Sequence, residues 1–166
     1  MDEFIPEPLV VSGDAPIRDR LVDITTIGAW TGTPRRIEIM FHVLDGAAFL
    51  TGTPGRRSWH ANLLHQPEFT VHAKGTDAHD FHAVAQPIND HNERARLLPR
   101  LVAEIVRLYE REGDVPSLPP AEEWIAGSPL VRVAFPRPSS RPGSDAAVQE
   151  SSPLPSGMPP GPAGRV

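Results

Sequence analysis

The sequence predicts a mainly β protein of the α+β class, with about six antiparallel strands in a closed or nearly closed barrel and two or three helices at its side. Three observations lead to this. Short segments rich in β-formers recur along the chain. Gly, Pro and Asp mark tight connections between them, as hairpins require. One longer stretch repeats its leucines and isoleucines at helical spacing.

Leu21–Ile27 is the first strand, and 28–34, with Gly28, Gly32 and Pro34, is a turn. In 36–43, Ile37, Ile39, Phe41 and Val43 alternate with Glu38, Met40 and His42, so one unbroken strand with a core face and a mixed face is expected. Asp45-Gly46 turns the chain into Ala47–Thr51. Residues 58–66 read as a short helix with Ser58 as its N-cap and Pro67 as its stop. Glu68–Ala73 and 81–87 pair around the turn Lys74-Gly75-Thr76-Asp77. Asp90 opens a long helix, with Glu93 completing a capping box. Leu97, Leu101, Ile105 and Leu108 share one face, and Gly113 suits the end. Pro99 should break or kink this helix into two pieces. Pro119-Pro120-Ala121 opens a short helix through Trp124, and 130–135 is the last strand.

At 166 residues the chain fits one domain with a core large enough to fold unaided. Residues 1–20 are irregular, yet Phe4, Ile5, Leu9 and Val10 suit a flap over a cavity. Residues 21–136 form the barrel domain. Residues 137–166 are mostly Pro, Ser, Gly and Ala; such a segment buries too little surface to offset its ordering entropy, and reads as a disordered tail. A proline-rich ligand for a partner domain is the alternative there. The absence of cysteine excludes disulfides, thiolate metal sites and cysteine nucleophiles. A net charge of -5 argues against a general nucleic-acid binder. No apolar run is long enough for a bilayer, and the acidic start lacks a signal-peptide pattern, so a cytoplasmic protein is expected.

The stretch from Thr51 through Gly52, Thr53, Pro54, Gly55, Arg56 and Arg57 joins a strand end to the helix start at Ser58. The first N–H groups of a helix have no internal partners and favour an anion. Small residues allow close backbone approach, and arginine can bond phosphate bidentately. The stretch is therefore a candidate site for a phosphate-bearing cofactor. An ordinary strand–turn–helix connection with solvated arginines is the competing reading.

Three motifs in order resemble the deazaflavin-dependent nitroreductase family of the flavin/deazaflavin oxidoreductases. They are Gly28-Ala29-Trp30-Thr31-Gly32-Thr33-Pro34-Arg35 before an alternating strand; Asp45-Gly46 before a short strand; and Trp59-His60-Ala61-Asn62-Leu63 followed by Gln66-Pro67-Glu68-Phe69-Thr70-Val71. The resemblance spans residues 20–135. It implies a split β-barrel, with the deazaflavin coenzyme factor 420, or less often flavin mononucleotide, in a groove along the barrel. It also implies hydride transfer to a quinone, nitro compound or activated alkene. Family members often carry basic residues where this chain has Ala29 and Trp30, and a lysine where it has Gly52. Related barrels often pair through a sheet face, so a homodimer is expected.

On this reading Thr51, Gly52, Thr53, Arg56, Arg57, Trp59 and Asn62 contact the cofactor, with Arg35 and Arg36 as second choices. Arg56 and Arg57 would hold the phosphate, Trp59 would pack near the groove or brace the loop, and Asn62 would orient the loop backbone. His42 is a weak candidate for proton transfer if its strand face lines the groove; a partly exposed, uninvolved histidine is the plainer expectation. His79 and His82 with Asp77 and Asp80 lack an obvious third ligand type and read as turn residues rather than a metal site. Tyr109 falls in register with Leu101 and Ile105 and reads as core. The rival to an enzyme is a non-catalytic split-barrel module binding flavin, haem or another small ligand.

Overall fold

The computed structural model describes residues 3–137, so all but the first residue of the expected tail lies outside the described residues. Seven strands are formed: β1 (Leu21–Ile27), β2 (Pro34–Met40), β3 (His42–Leu44), β4 (Ala47–Thr51), β5 (Glu68–Ala73), β6 (His79–Pro87) and β7 (Leu130–Ala134). The helices are α1 (Ser58–His65), α2 (His91–Glu112) and α3 (Ala121–Gly127). All strand pairs are antiparallel, in the order β2-β1-β5-β6-β7-β4-β3. The sheet curls into a split half-barrel, in agreement with the mainly β expectation.

Alternation along the strands decides what the curl encloses. Val22 and Ile24 of β1, Phe69 and Val71 of β5, Ala83 and Ala85 of β6, and Val131 and Val133 of β7 point inward around Leu50. Trp59 and Leu63 of α1 join this cluster. A second core joins Phe49 and Leu130 to Leu97, Leu98, Leu101 and Ile105 of α2 and Trp124 of α3. Ala48 and Leu50 belong to the first core and Phe49 to the second, so β4 is buried on both faces. Its apolar run, lacking polar alternation, is what a strand between two cores requires.

The unbroken strand expected over 36–43 is instead two. Phe41 N donates to Arg20 O at 2.8 Å, outside the ladder of either neighbour strand. Phe41 and His42 are both buried, while Ile37 and Val43 are 37% and 39% exposed. The chain bends at Phe41 to turn the corner between the sheet's two edges. Local alternation is blind to such a corner, and the extra break raises the count from six strands to seven.

Helix α2 runs 22 residues without interruption, with Pro99 inside it. Proline removes the donor to Ala95 O, and Ala95 is only half-buried. Leu97, Leu98 and Leu101 are buried on both sides of Pro99 and hold the two halves in line. The Asp90 side chain accepts from Glu93 N at 2.8 Å, and Gly113 closes the helix at φ 80°, in the left-handed region glycine favours. The Arg94 guanidinium donates to the carbonyls of Ile88, Trp124, Ile125 and Ser128 at 2.7–3.3 Å, which ties α2 to both ends of the α3 connection. In α1, Ser58 is the first helical residue; Arg57 stands at the cap position and makes no side-chain cap bond.

The N-terminal segment packs rather than trailing. Leu9 is buried in the barrel core, and the Arg20 guanidinium donates to the carbonyls of Ser12, Gly13 and Ala15. With Phe41, Val43 and Ala73 this segment lines a cleft of about 680 Å³. On the outer face of β1 and β5, His72 bonds Thr25 Oγ1 through Nε2 at 2.7 Å and Asp80 Oδ1 through Nδ1 at 2.6 Å. Beside this chain Lys74 pairs with both Asp23 and Glu38. That sheet face is thus polar but internally paired.

Candidate active site

The site is built where β1 ends and α1 begins. After β1 the chain makes a compact turn: Gly28 N donates to Thr33 O at 2.9 Å and Gly32 N to Gly28 O at 2.8 Å. A Cβ on Gly28 would fall 2.4 Å from Thr31 Oγ1 and 3.2 Å from Thr33 O, so only glycine fits without displacing the turn. Asn62 of α1 reaches across to it. Its Oδ1 accepts from Ala29 N at 2.9 Å, and its Nδ2 donates to Thr26 Oγ1 at 3.0 Å. Both ends of this buried amide are satisfied, and the helix and turn become one rigid unit.

The groove between them holds about 380 Å³ and is lined by Thr26, the 28–31 turn, Arg35, Arg36, Ile37, Ser58, Trp59 and Asn62. Arg35 pairs with Thr26 across the β1–β2 register and so lies on the inward side of the edge strand. It has no hydrogen bond or ion pair among the described residues. Arg36 points to the other face, where Nε meets Asp23 Oδ2 at 2.9 Å. Trp59 is only 7% exposed, buried in the barrel core with one side on the groove.

The remaining expected residues divide. Arg57 donates to Thr53 O and Arg56 O, each at 3.1 Å, and to Thr53 Oγ1, so its guanidinium is committed to bracing its own loop. Gly55 sits at φ 123°, a conformation side chains resist. Thr51 is buried, and its hydroxyl donates to Pro129 O at 2.7 Å, which anchors the loop to the chain entering β7. A Cβ on Gly52 would make only ordinary contacts. Arg56 is exposed on the far side of the helix start, in a second cleft of about 450 Å³ shared with His60, Arg94 and Ser128. Burial, then the Arg94 charge, lowers the His60 pKa, so His60 favours the neutral form.

Two expectations need correction. Asn62 does not orient the 51–57 loop; it holds the 28–33 turn, 33 residues away in sequence. His42 is not partly exposed. It is buried opposite Phe49, does not line the groove, and has its pKa lowered to about 4, chiefly by burial and further by the Arg20 charge. Sequence reasoning also missed Thr26, the second anchor of Asn62, because nothing local links residues 36 apart.

Replacing Asn62 with alanine leaves Thr26 Oγ1 and Ala29 N without their partner. A buried group so orphaned costs about 1–3 kcal/mol, which applies to the Thr26 hydroxyl, whereas Ala29 N is only part-buried. Denaturant unfolding should show a loss of at least the lower figure; an unchanged midpoint would mean that the turn is not held from α1.

Solved structures share this architecture. A conserved hypothetical protein from Mycobacterium tuberculosis is 19% identical, with 82% of this chain and 84% of that chain covered and a TM-score of 0.53. A protein titled "F420 Reductase" is 16% identical over 70% of this chain and 86% of that chain, with a TM-score of 0.49. A protein related to general stress protein 26 of B. subtilis, of the pyridoxinephosphate oxidase family, from Clostridium acetobutylicum, is 12% identical over 70% and 75%, with a TM-score of 0.48. No curated protein matches the chain. The first of these likenesses establishes the fold. Residues 13–116, more than half of the chain and all of the groove, match the family described as F420H(2)-dependent quinone reductase. The chain belongs to that family; it is an oxidoreductase, and its cofactor is the deazaflavin factor 420.

The residues present fit a flat cofactor bearing a phosphate. The groove is lined by Arg35, whose guanidinium has no partner among the described residues, and by Ser58 and Trp59 at the start of α1, where helix N–H groups lack internal partners, a donor set with the chemistry an anion requires. Among the described residues no helix is long and apolar enough to cross a membrane.

Proposed function

We propose that this reductase reduces an electron-poor small molecule, a quinone, nitro compound or activated alkene, with the cofactor lying along the 26–37 groove and its phosphate at the start of α1. The observation that supports this most is the meeting of Arg35, which has no protein partner among the described residues, with the open helix start in one groove. When bound, reduced factor 420 would supply a hydride, and the proton that completes each two-electron reduction of the acceptor would come from solvent. The chain's own residues bind and orient. Arg35 neutralises the phosphate from the β2 side, and Arg56 adds positive field from beyond the helix start. Arg57 fixes the loop between them. Asn62 sets the distance between turn and helix, and Trp59 walls the groove against water. His42, buried and neutral, takes no part in proton transfer.

The test is a fluorescence titration with factor 420. A charge-assisted bond is worth roughly 1.5–3 kcal/mol. Arg35→Ala should therefore weaken binding by about tenfold or more, an effect that shrinks at higher salt. Arg56→Ala should weaken it less. Equal affinities for wild type and Arg35→Ala would remove the phosphate from this groove.

A further inference from the structure

We infer that the cleft on the far side of the α1 start, separate from the phosphate groove, binds a small organic carboxylate. At about 450 Å³ it falls in the size range of small-molecule sites. Ser58, Trp59 and Asn62 of α1 face the groove, whereas His60 and the preceding Arg56 face this cleft. Its walls are joined, because Gly55 N donates to Gly127 O at 3.0 Å and ties the 51–57 loop to the end of α3.

No aspartate or glutamate lines the cleft, in a chain whose net charge is -5. Two arginines do. Arg56 is exposed and has no side-chain hydrogen bond or ion pair among the described residues, so its whole donor fork is available. Arg94 spends four of its N–H groups on carbonyls, yet its charge meets no carboxylate among the described residues and one N–H remains. Ser128, also on the lining, is 4% exposed, and its Oγ is buried without a hydrogen-bond partner. Buried hydroxyls are normally paired, and an acceptor seated here would pair this one. Burial, then the Arg94 charge, holds His60 neutral, with one N–H to donate. The rest of the wall includes Ala126 and Pro129. Methylenes of an organic acid would pack there, and an inorganic anion would make no use of it.

The test is isothermal titration of the full chain with succinate. Arg56→Gln should weaken binding by about tenfold, as loss of a charge-assisted bond implies, and Ser128→Ala by a smaller factor. Both variants should fold, because neither side chain is bonded to the rest of the protein. Succinamide, of similar shape but uncharged, should not bind. Proton NMR should show the His60 pKa rising as succinate is added, since an opposite charge beside the ring favours the imidazolium. Repeating the titration with factor 420 bound identifies the source of the carboxylate. Unchanged succinate affinity assigns the cleft to a free organic acid, and competition assigns it to an acidic group of the cofactor. No succinate binding, equal affinity in wild type and Arg56→Gln, or tighter binding of inorganic phosphate than of succinate would each overturn the inference. It fails separately from the phosphate reading: Arg35→Ala should lower affinity for factor 420 and leave that for succinate at the wild-type value.

Discussion

Trp59→Ala should lower the unfolding free energy by about 3–5 kcal/mol, the range for truncating a large core side chain. The residue is in the first turn of α1, a helix of only eight residues, too short to persist without tertiary packing. Its ring is 7% exposed within the barrel core, edge-on to His60 at 5.7 Å between centroids. Removing it opens a cavity beneath the helix start, where the cofactor phosphate is proposed to lie. Stability and cofactor affinity should therefore fall together, with the melting temperature lower by on the order of ten degrees. Thermal unfolding with and without factor 420 separates the two losses. A melting temperature within a degree or two of wild type would show that α1 is held chiefly by Leu63 and Asn62.

Acid should destabilise the fold through His42. Its folded pKa, about 4, lies below the ordinary histidine value of 6.5, so the folded state keeps it neutral while the unfolded chain protonates it. The stability gained from holding it neutral is fully present above about pH 6.5 and is lost as the pH falls towards 4. Burial is the main cause; Arg20 adds to the depression and Glu104 opposes it. The total is on the order of 3 kcal/mol. His42→Phe should remove this slope, so the gap in unfolding free energy between variant and wild type should change between pH 7 and pH 4.5. Parallel pH profiles for the two proteins would show that His42 gains access to water.

Much of the barrel is legible in the sequence, because strand pairing in hairpins is a local matter. β1, β4 and β5 have the bounds that their β-formers and turn residues imply, and Asp90, Glu93 and Gly113 mark the limits of α2. What is not legible depends on partners far along the chain. The corner at Phe41 arises from a bond to Arg20 and from curvature that buries two successive side chains. Pro99 is tolerated because a second core grips α2 on both sides of it. The site follows the same rule. Arg56, Arg57 and Ser58 gather at one helix start because they are neighbours in sequence, but Arg57 is diverted to Thr53. The groove itself depends on Asn62 reaching Thr26 and Ala29, and Arg35 of an edge strand lines it while Arg56 lines a different cleft. The family motifs locate both halves of that groove without saying which residue joins them.

The position of β2 has a consequence for how the protein behaves in a crowded solution. It stands at the end of the sheet, paired on one side with β1 over all seven residues and, among the described residues, with no strand on the other. Such an edge is a template for pairing with another chain, and proteins blunt it with proline and charge. Here Pro34 opens the strand without an N–H, and Arg35, Arg36 and Glu38 project from its two faces. The guanidinium available to an anion in the groove thus also helps keep one molecule's sheet from extending into the next. Replacing it with an apolar residue would weaken both, which ties solubility to ligand recognition at a single position.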